Sequence, residues 1–153
     1  MERCHTMYSL QWRSWRQALD ESGLPIDPRS EECIRGLTMP TFDEWSYREG
    51  FHILDYAKTE LPLFQAGRLI MAEGGLWNET TPLQLLSFWA AQKQQCEGKC
   101  IIASQLHVWQ DWGCGMVCLM PIMGGGHRIE FINASWRIKH AGYILARHHL
   151  SPI

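Results

Sequence analysis

CIIASQLHVWQDWGCGMVCLMPIMGGGHRIEFIN, residues 100–133, is the stretch that decides the fold. It contains three apolar runs, which the segments WQDWGCG and GGG separate. In the first run Ile102, Leu106 and Val108 fall on one side of an extended chain, while His107 and Trp109 fall on the other. The alternation and the two turn segments predict an antiparallel β-meander of three to four strands.

The second and third apolar runs define the rest of this meander. Met116 to Met120 is apolar at every position, which favours a central strand covered on both faces. Gly124 to Gly126 supplies the backbone freedom that a tight connection needs. From Arg128 to Asn133 the apolar and polar residues alternate again, as in a strand with one buried face.

Two helices are predicted from capping boxes that precede the meander. Thr41–Glu44 has Thr at the cap and Glu three residues later, and the helix that follows is expected to reach about Thr59. Thr81–Gln84 has the same pattern with Pro at the first helical position, and its helix is expected to fray near Gln95. Both boxes satisfy backbone amides that the first turn of a helix otherwise leaves unpaired.

Further helices are indicated by weaker start and stop signals. A first helix is predicted over Ser9–Glu21, with Gly23 as its C-terminal stop. Ser30 is the expected cap of a short helix that ends at Gly36. Another short helix is expected between residues 62 and 72.

Taken together, these patterns predict an α+β fold in one domain, residues 1–153. An N-terminal layer of four to five helices is expected to pack on the C-terminal meander. Residues 136–150 fit a helix or a strand equally well, and the pattern leaves this choice open.

The composition limits the classes of partner. Apolar residues make up 46% of the 153 residues and the formal net charge is −2, which is typical of a globular chain and makes a nucleic-acid partner unlikely. The N-terminus lacks an apolar signal region, and no run reaches the roughly 18–20 apolar residues of a membrane helix. We therefore expect a soluble cytoplasmic protein with no membrane partner and with reduced cysteines.

Tryptophan and charge indicate a protein-binding surface. The chain has eight Trp residues, which is many for its length, and most of them are expected in the core. The excess leaves room for some of them on a binding surface. Basic residues and histidines are concentrated after Gly126, whereas the charged residues between positions 20 and 60 are mainly acidic. This uneven charge could orient a partner. The leading hypothesis is an inhibitor, immunity or accessory factor that binds another protein, with a second copy of the chain as the alternative partner. The candidate binding residues are Trp109, Trp112, Trp136, Arg147 and His148.

A zinc-stabilised module is one alternative. Its candidate ligands lie within 23 positions: Cys96, Cys100, His107, Cys114 and Cys118. Three residues separate the cysteines of each pair, a spacing that suits a helix but places the sulfurs about 13 Å apart on a strand. Apart from this possible zinc ion, no cofactor is expected.

A cysteine-dependent hydrolase is the other alternative. His127 opens a strand after three glycines, where it could act as a base, and Asn133 could orient it. The stretch IEFINASW, with Ala-Gly-Tyr143 after it, resembles the Asn-Ser-Trp stretch of papain-like cysteine proteases, which implies a Cys-His-Asn site. Cys100 and Cys33 are the candidate nucleophiles, although Cys100 lacks the Cys-Gly-Ser-Cys-Trp setting of that family and two glutamates adjoin Cys33.

Overall fold

The structure is a computed structural model. It describes residues 3–8, 11–12, 14–38, 49–56, 77–109, 113–133, 135 and 142–148. The four helices in these ranges are α1 (Trp15–Ser22), α2 (Glu31–Arg35), α3 (Pro82–Ala91) and α4 (Lys93–Cys96). The strands are β1 (Arg3–Tyr8), β2 (Glu49–Tyr56), β3 (Trp77–Glu79), β4 (Cys100–Ala103), β5 (His107–Trp109), β6 (Gly113–Pro121), β7 (His127–Asn133) and β8 (Gly142–His148).

These strands form one eight-stranded sheet. Its main path runs β1-β2-β8-β4-β6-β5, while β3 also pairs with β8 and β7 also pairs with β6. Every pairing between these strands is antiparallel except that of β4 with β8. The architecture is mixed α+β, as predicted, and the described sheet is twice as wide as the expected meander.

The meander itself is confirmed in its central part. β6 pairs with β5 through residues 113–115 and with β7 through residues 115–121. The β6–β7 connection is a tight turn, in which Gly124, Gly125 and Gly126 all have positive φ. Gly115 allows β7 to come close, because a Cβ at this position would lie 2.5 Å from the Phe131 ring.

The prediction of a helix up to Thr59 is wrong over Glu49–Tyr56, which forms strand β2. β2 is held between β1 and β8, whose residues are distant in sequence. The Thr41–Glu44 capping box and the helix expected over residues 62–72 lie outside the described residues. The open choice for residues 136–150 is settled for Gly142–His148, which is strand β8.

Local signals indicated several ends of the other helices. Ser30 does precede α2, but its hydroxyl makes no capping bond and donates to the Asp27 carboxylate instead. The Ser14 hydroxyl caps α1 by accepting from the Gln17 amide at 3.1 Å, so α1 begins later than the predicted Ser9. Gly23 ends α1 with a φ of 67°, as predicted. The Thr81–Gln84 capping box is present in full at the start of α3.

One face of the sheet packs against the helices, and we call it the helical face. Its residues alternate along the strands: Ile101 and Ala103 on β4, Val117 and Leu119 on β6, and Ile129 and Phe131 on β7. They form a single core with apolar residues of α1, α2 and α3. The burial of these side chains supplies the main force that holds the helices on the sheet.

The opposite face of the sheet is also buried, and we call it the sulfur face. It carries Cys100 and Ile102 on β4 and Met116, Cys118 and Met120 on β6, because successive strand residues point to opposite sides. The first four are at most 3% exposed, and Met120 is half-buried. The predicted covering of β6 on both faces is therefore confirmed.

The segment that follows α1 lies along the outer edge of β7. The Ile129 amide donates to the Pro25 carbonyl at 2.8 Å, and the Asp27 amide donates to the Ile129 carbonyl at 2.9 Å. These bonds pair backbone groups of an edge strand that would otherwise be open. Among the described residues there is no helix with the length and apolar character needed to span a bilayer.

Candidate functional site

His127 is held at the start of β7 by a hydrogen bond to backbone. Its Nε2 lies 2.8 Å from the Lys99 carbonyl oxygen, and the side chain is 3% exposed. A carbonyl can only accept, so the proton of this hydrogen bond is on Nε2. His127 also borders an open cavity of about 230 Å³, together with Trp89, Lys93, Gln94, Glu97 and Gly126. The Lys93 ammonium lies 4.9 Å from the centre of the Trp89 ring in this cavity.

The structure does not bring Cys100 and His127 together. His127 pairs with Pro121, which shares the helical face with Leu119. Ile101 pairs with Leu119, so Cys100 falls one position along β4 and points to the sulfur face. A thiol on one side of a sheet cannot pass its proton directly to an imidazole on the other.

The other members of the hydrolase hypothesis are also separated. Cys33 is buried in α2, and burial, with the Glu32 charge as a smaller cause, raises the pKa of its thiol to about 11. Such a thiol is protonated at neutral pH and is a poor nucleophile. The Asn133 side-chain oxygen accepts bonds from the Ser135 amide at 2.9 Å and hydroxyl at 2.7 Å, so it stabilises a local turn.

The zinc candidates form no four-ligand centre in the described ranges. Cys96 lies at the end of α4 within the helical-face core, where burial raises the pKa of its thiol to about 12. Cys114 is exposed, and Cys118 is fully buried on the same strand. No group of three or more His, Cys, Asp or Glu side chains in the described part of the chain is placed to hold a metal ion.

Two of the zinc candidates, Cys100 and Cys118, lie on the same face of the sheet. Beside them is the Met120 sulfur, which was not predicted as a ligand. The Cys100 thiol donates to the Met120 sulfur at 3.4 Å, and Cys118 lies diagonal to Cys100 on the same face of the sheet. Burial, with the neighbouring Cys100 thiol as a smaller cause, raises the pKa of the Cys118 thiol well above its usual value. The alternation along β6 places Cys118 and Met120 on one face, which was the available signal for this cluster.

The binding candidates fall into three groups. Trp109 is half-buried against the core, and its ring would lie 2.7 Å from a Cβ added at Gly36. Arg147 and His148 lie on β8, at positions that pair with both β2 and β3. Trp112 and Trp136 lie outside the described residues.

The exposed apolar side chains of the β5 region were not singled out as binding residues. Val108 on β5 is 77% exposed and Leu106, which precedes β5, is 43% exposed. Their neighbours His107 and Trp109 are half-buried, so the predicted alternation is confirmed. Val108 pairs with Cys114, which extends the exposed surface across to β6.

Three buried polar atoms near the start of β5 make no hydrogen bond: Thr80 Oγ1, Gln105 Oε1 and His107 Nε2. A backbone hydrogen bond does join the two segments that carry these atoms: the Gln105 amide donates to the Thr80 carbonyl at 3.0 Å. Burial lowers the pKa of His107 and so favours its neutral form. Unpaired buried polar atoms cost free energy and are rare in native proteins.

The chain shows no match to a protein-family model, to a curated protein or to a solved structure.

Proposed function

We propose that the protein is a protein-binding domain, acting as an inhibitor, immunity or accessory factor, and that it binds an extended segment of another protein along β5. The observation that carries the proposal is the 77% exposure of Val108 on β5, a short strand whose described pairing is with β6 alone. A soluble domain rarely leaves an apolar strand side chain this open at a sheet edge unless the edge is used or protected.

The position of β5 supports this mode of binding. β5 follows β4 along one edge of β6, and within the described residues it pairs with β6 on one side only. An edge strand offers backbone amides and carbonyls to an added strand, while its alternate side chains give specificity. Leu106 and Val108 lie two residues apart, so both contact the same side of an incoming segment.

The same surface indicates the chemistry of the partner. Leu106, Val108 and the exposed Cys114 present no charge, so a matching segment carries apolar residues at alternate positions.

The test is site-specific photo-crosslinking in the native cell. A photoreactive residue replaces Val108 in one variant and Met123, which is 100% exposed in the β6–β7 turn, in the matched control. We expect one discrete adduct with another protein from position 108 and none from position 123. The change Leu106→Lys should abolish that adduct, because it places a charge on the apolar surface.

Two results would count against the proposal. Identical adducts from positions 108 and 123 would indicate general stickiness of exposed side chains. An adduct of twice the chain mass would identify a second copy of this chain as the occupant of β5, and the protein would then be a self-associating domain.

A further inference from the structure

The sulfur face contains a cluster of three sulfur atoms, from Cys100, Cys118 and Met120. We propose that this cluster is a binding site for a soft monovalent metal ion of the Cu(I) class. The site is independent of the β5 surface, because it lies further along β6 and uses different side chains.

The register of the strands brings the three sulfurs together. Ile101 pairs with Leu119, so Cys100 lies opposite Met120 and diagonal to Cys118. Opposite residues of an antiparallel pair have Cβ atoms about 4.5–5.5 Å apart, a spacing that lets two sulfurs bind one ion. The side chains already converge, because 3.4 Å separates the sulfurs of Cys100 and Met120 and Cys118 lies on the same face beside them.

The ligand set selects the kind of metal. Thiolate and thioether sulfurs are soft ligands that favour Cu(I), whereas structural zinc takes four nitrogen, thiolate or carboxylate ligands. No further His, Cys, Asp or Glu completes such a set around these sulfurs within the described ranges. Two thiolates and one thioether provide a three-coordinate site, which suits Cu(I) and leaves Zn²⁺ short of a ligand.

Binding changes no oxidation state. Each of the two thiols loses its proton to solvent and forms a bond to the metal, and the Met120 sulfur donates a lone pair. Two thiolates and one monovalent cation leave a single negative charge. The Glu130 carboxylate, which is bonded to Arg128, opposes negative charge at Cys118, and the positive charge of Arg128 offsets part of that effect.

The three residues differ in access to solvent. Cys100 and Cys118 are 0% exposed, whereas Met120 is half-buried. Met120 is therefore the ligand at the outer end of the cluster, where an ion can arrive before the two thiols exchange their protons for it.

The test is an anaerobic competition titration of the reduced protein against Cu(I) held by bicinchoninate. We expect the parent protein to withdraw one Cu(I) per chain. Met120→Leu keeps an apolar side chain of similar volume and removes only the thioether, and it should weaken binding about 10-fold or more. Cys118→Ala should abolish the competition, while Cys114→Ser, on the same strand but exposed, should leave it unchanged.

Thermal unfolding with and without Cu(I) separates loss of the site from loss of the fold. Cu(I) should raise the Tm of the parent and of Cys114→Ser and leave that of Cys118→Ala unchanged, since a ligand stabilises only the state it binds. The proposal is overturned if the parent does not compete, if Cys114→Ser loses the binding, or if Met120→Leu binds Cu(I) as tightly as the parent. If Cys118→Ala fails to fold, the Cu(I) affinity of Met120→Leu relative to the parent is the deciding measurement.

Discussion

The two faces of β6 are equally buried but chemically different. On the helical face Val117 and Leu119 pack into a core of branched and aromatic side chains. On the sulfur face Met116 and Cys118 are just as hidden from solvent, yet their neighbours include the Cys100 thiol. Burial alone therefore does not distinguish a structural face from a chemically capable one.

The difference lies in what the side chains can do once they are buried. Branched aliphatic side chains have well-defined shapes and contribute by filling space densely. Sulfur side chains are polarisable and adaptable, and they keep a chemistry of their own. We infer that the helical face provides most of the stability and that the sulfur face can tolerate change at its open ends.

The largest expected effect is on the helical face. Leu119→Ala should lower the free energy of unfolding by about 2–5 kcal/mol, because it removes a fully buried side chain and leaves a cavity. Urea unfolding followed by tryptophan fluorescence measures this change. A loss under about 1 kcal/mol would mean that the helices are loosely packed on the sheet.

A smaller effect is expected on the sulfur face. Cys118→Ala should cost about 1–2 kcal/mol, because it deletes a single buried heavy atom where Leu119→Ala deletes three. The same urea titration, run without metal, compares the two variants directly. If Cys118→Ala cost as much as Leu119→Ala, the two faces would contribute equally to stability and the contrast drawn between them would fail.

The sequence predicted what was decided locally. The capping box at Thr81 depends on residues three positions apart, and the turn at Gly124–Gly126 depends on the glycines themselves. The alternation from Leu106 to Trp109 likewise gave the correct sides of β5. Each of these features can be read within a short window of the chain.

The sequence failed where distant strands decided the outcome. Residues 49–56 follow a capping box, yet they pair with Arg3–Tyr8 on one side and Gly142–His148 on the other. β-structure is stabilised by such partners more than by intrinsic preference, so no local pattern reveals it. For the same reason the sequence could not show that Cys100 and His127 lie on opposite faces of the sheet, because the face to which each side chain points depends on strand register.

The candidate site was predictable only in part. Cys100 and Cys118 were both proposed as metal ligands, and the structure places them diagonal to each other on one face of the sheet. Their real third neighbour, Met120, was missed because zinc-spacing rules consider no thioethers. The exposure of Val108 was also hidden from the sequence, since alternation gives two sides of a strand without saying which one the rest of the chain covers.

Alkaline pH tests whether both faces exclude water. Burial raises the pKa of Cys96, in the helical-face core, to about 12 from an ordinary value of 9.0, and raises that of Cys118 on the sulfur face. Above pH 9.0 the unfolded chain releases these protons while the folded chain keeps them, so stability falls as pH rises from 9.0 towards about 12. Urea midpoints across this range should fall less steeply in Cys96→Ala and in Cys118→Ala.

The control for the alkaline series is Cys114→Ala, which removes an exposed thiol from the same strand as Cys118. Its midpoints should fall as steeply as those of the parent. If the urea midpoints fell less steeply with pH in Cys96→Ala but not in Cys118→Ala, the sulfur face would be open to water and would behave like an exposed surface.

The smallest effect is expected where the sulfur face reaches β5. Val108→Lys should change the free energy of unfolding by less than about 0.5 kcal/mol, because the side chain is 77% exposed and no core atom depends on it. Trp109→Ala on the same strand is the matched contrast, because its half-buried ring packs against the core and its loss leaves space beside Gly36. Equal losses in the two variants would show that β5 has no open side and would remove the basis for a docking edge. If Val108→Lys leaves the free energy of unfolding unchanged and also abolishes partner binding, the β5 end of the sulfur face serves recognition and adds nothing to stability.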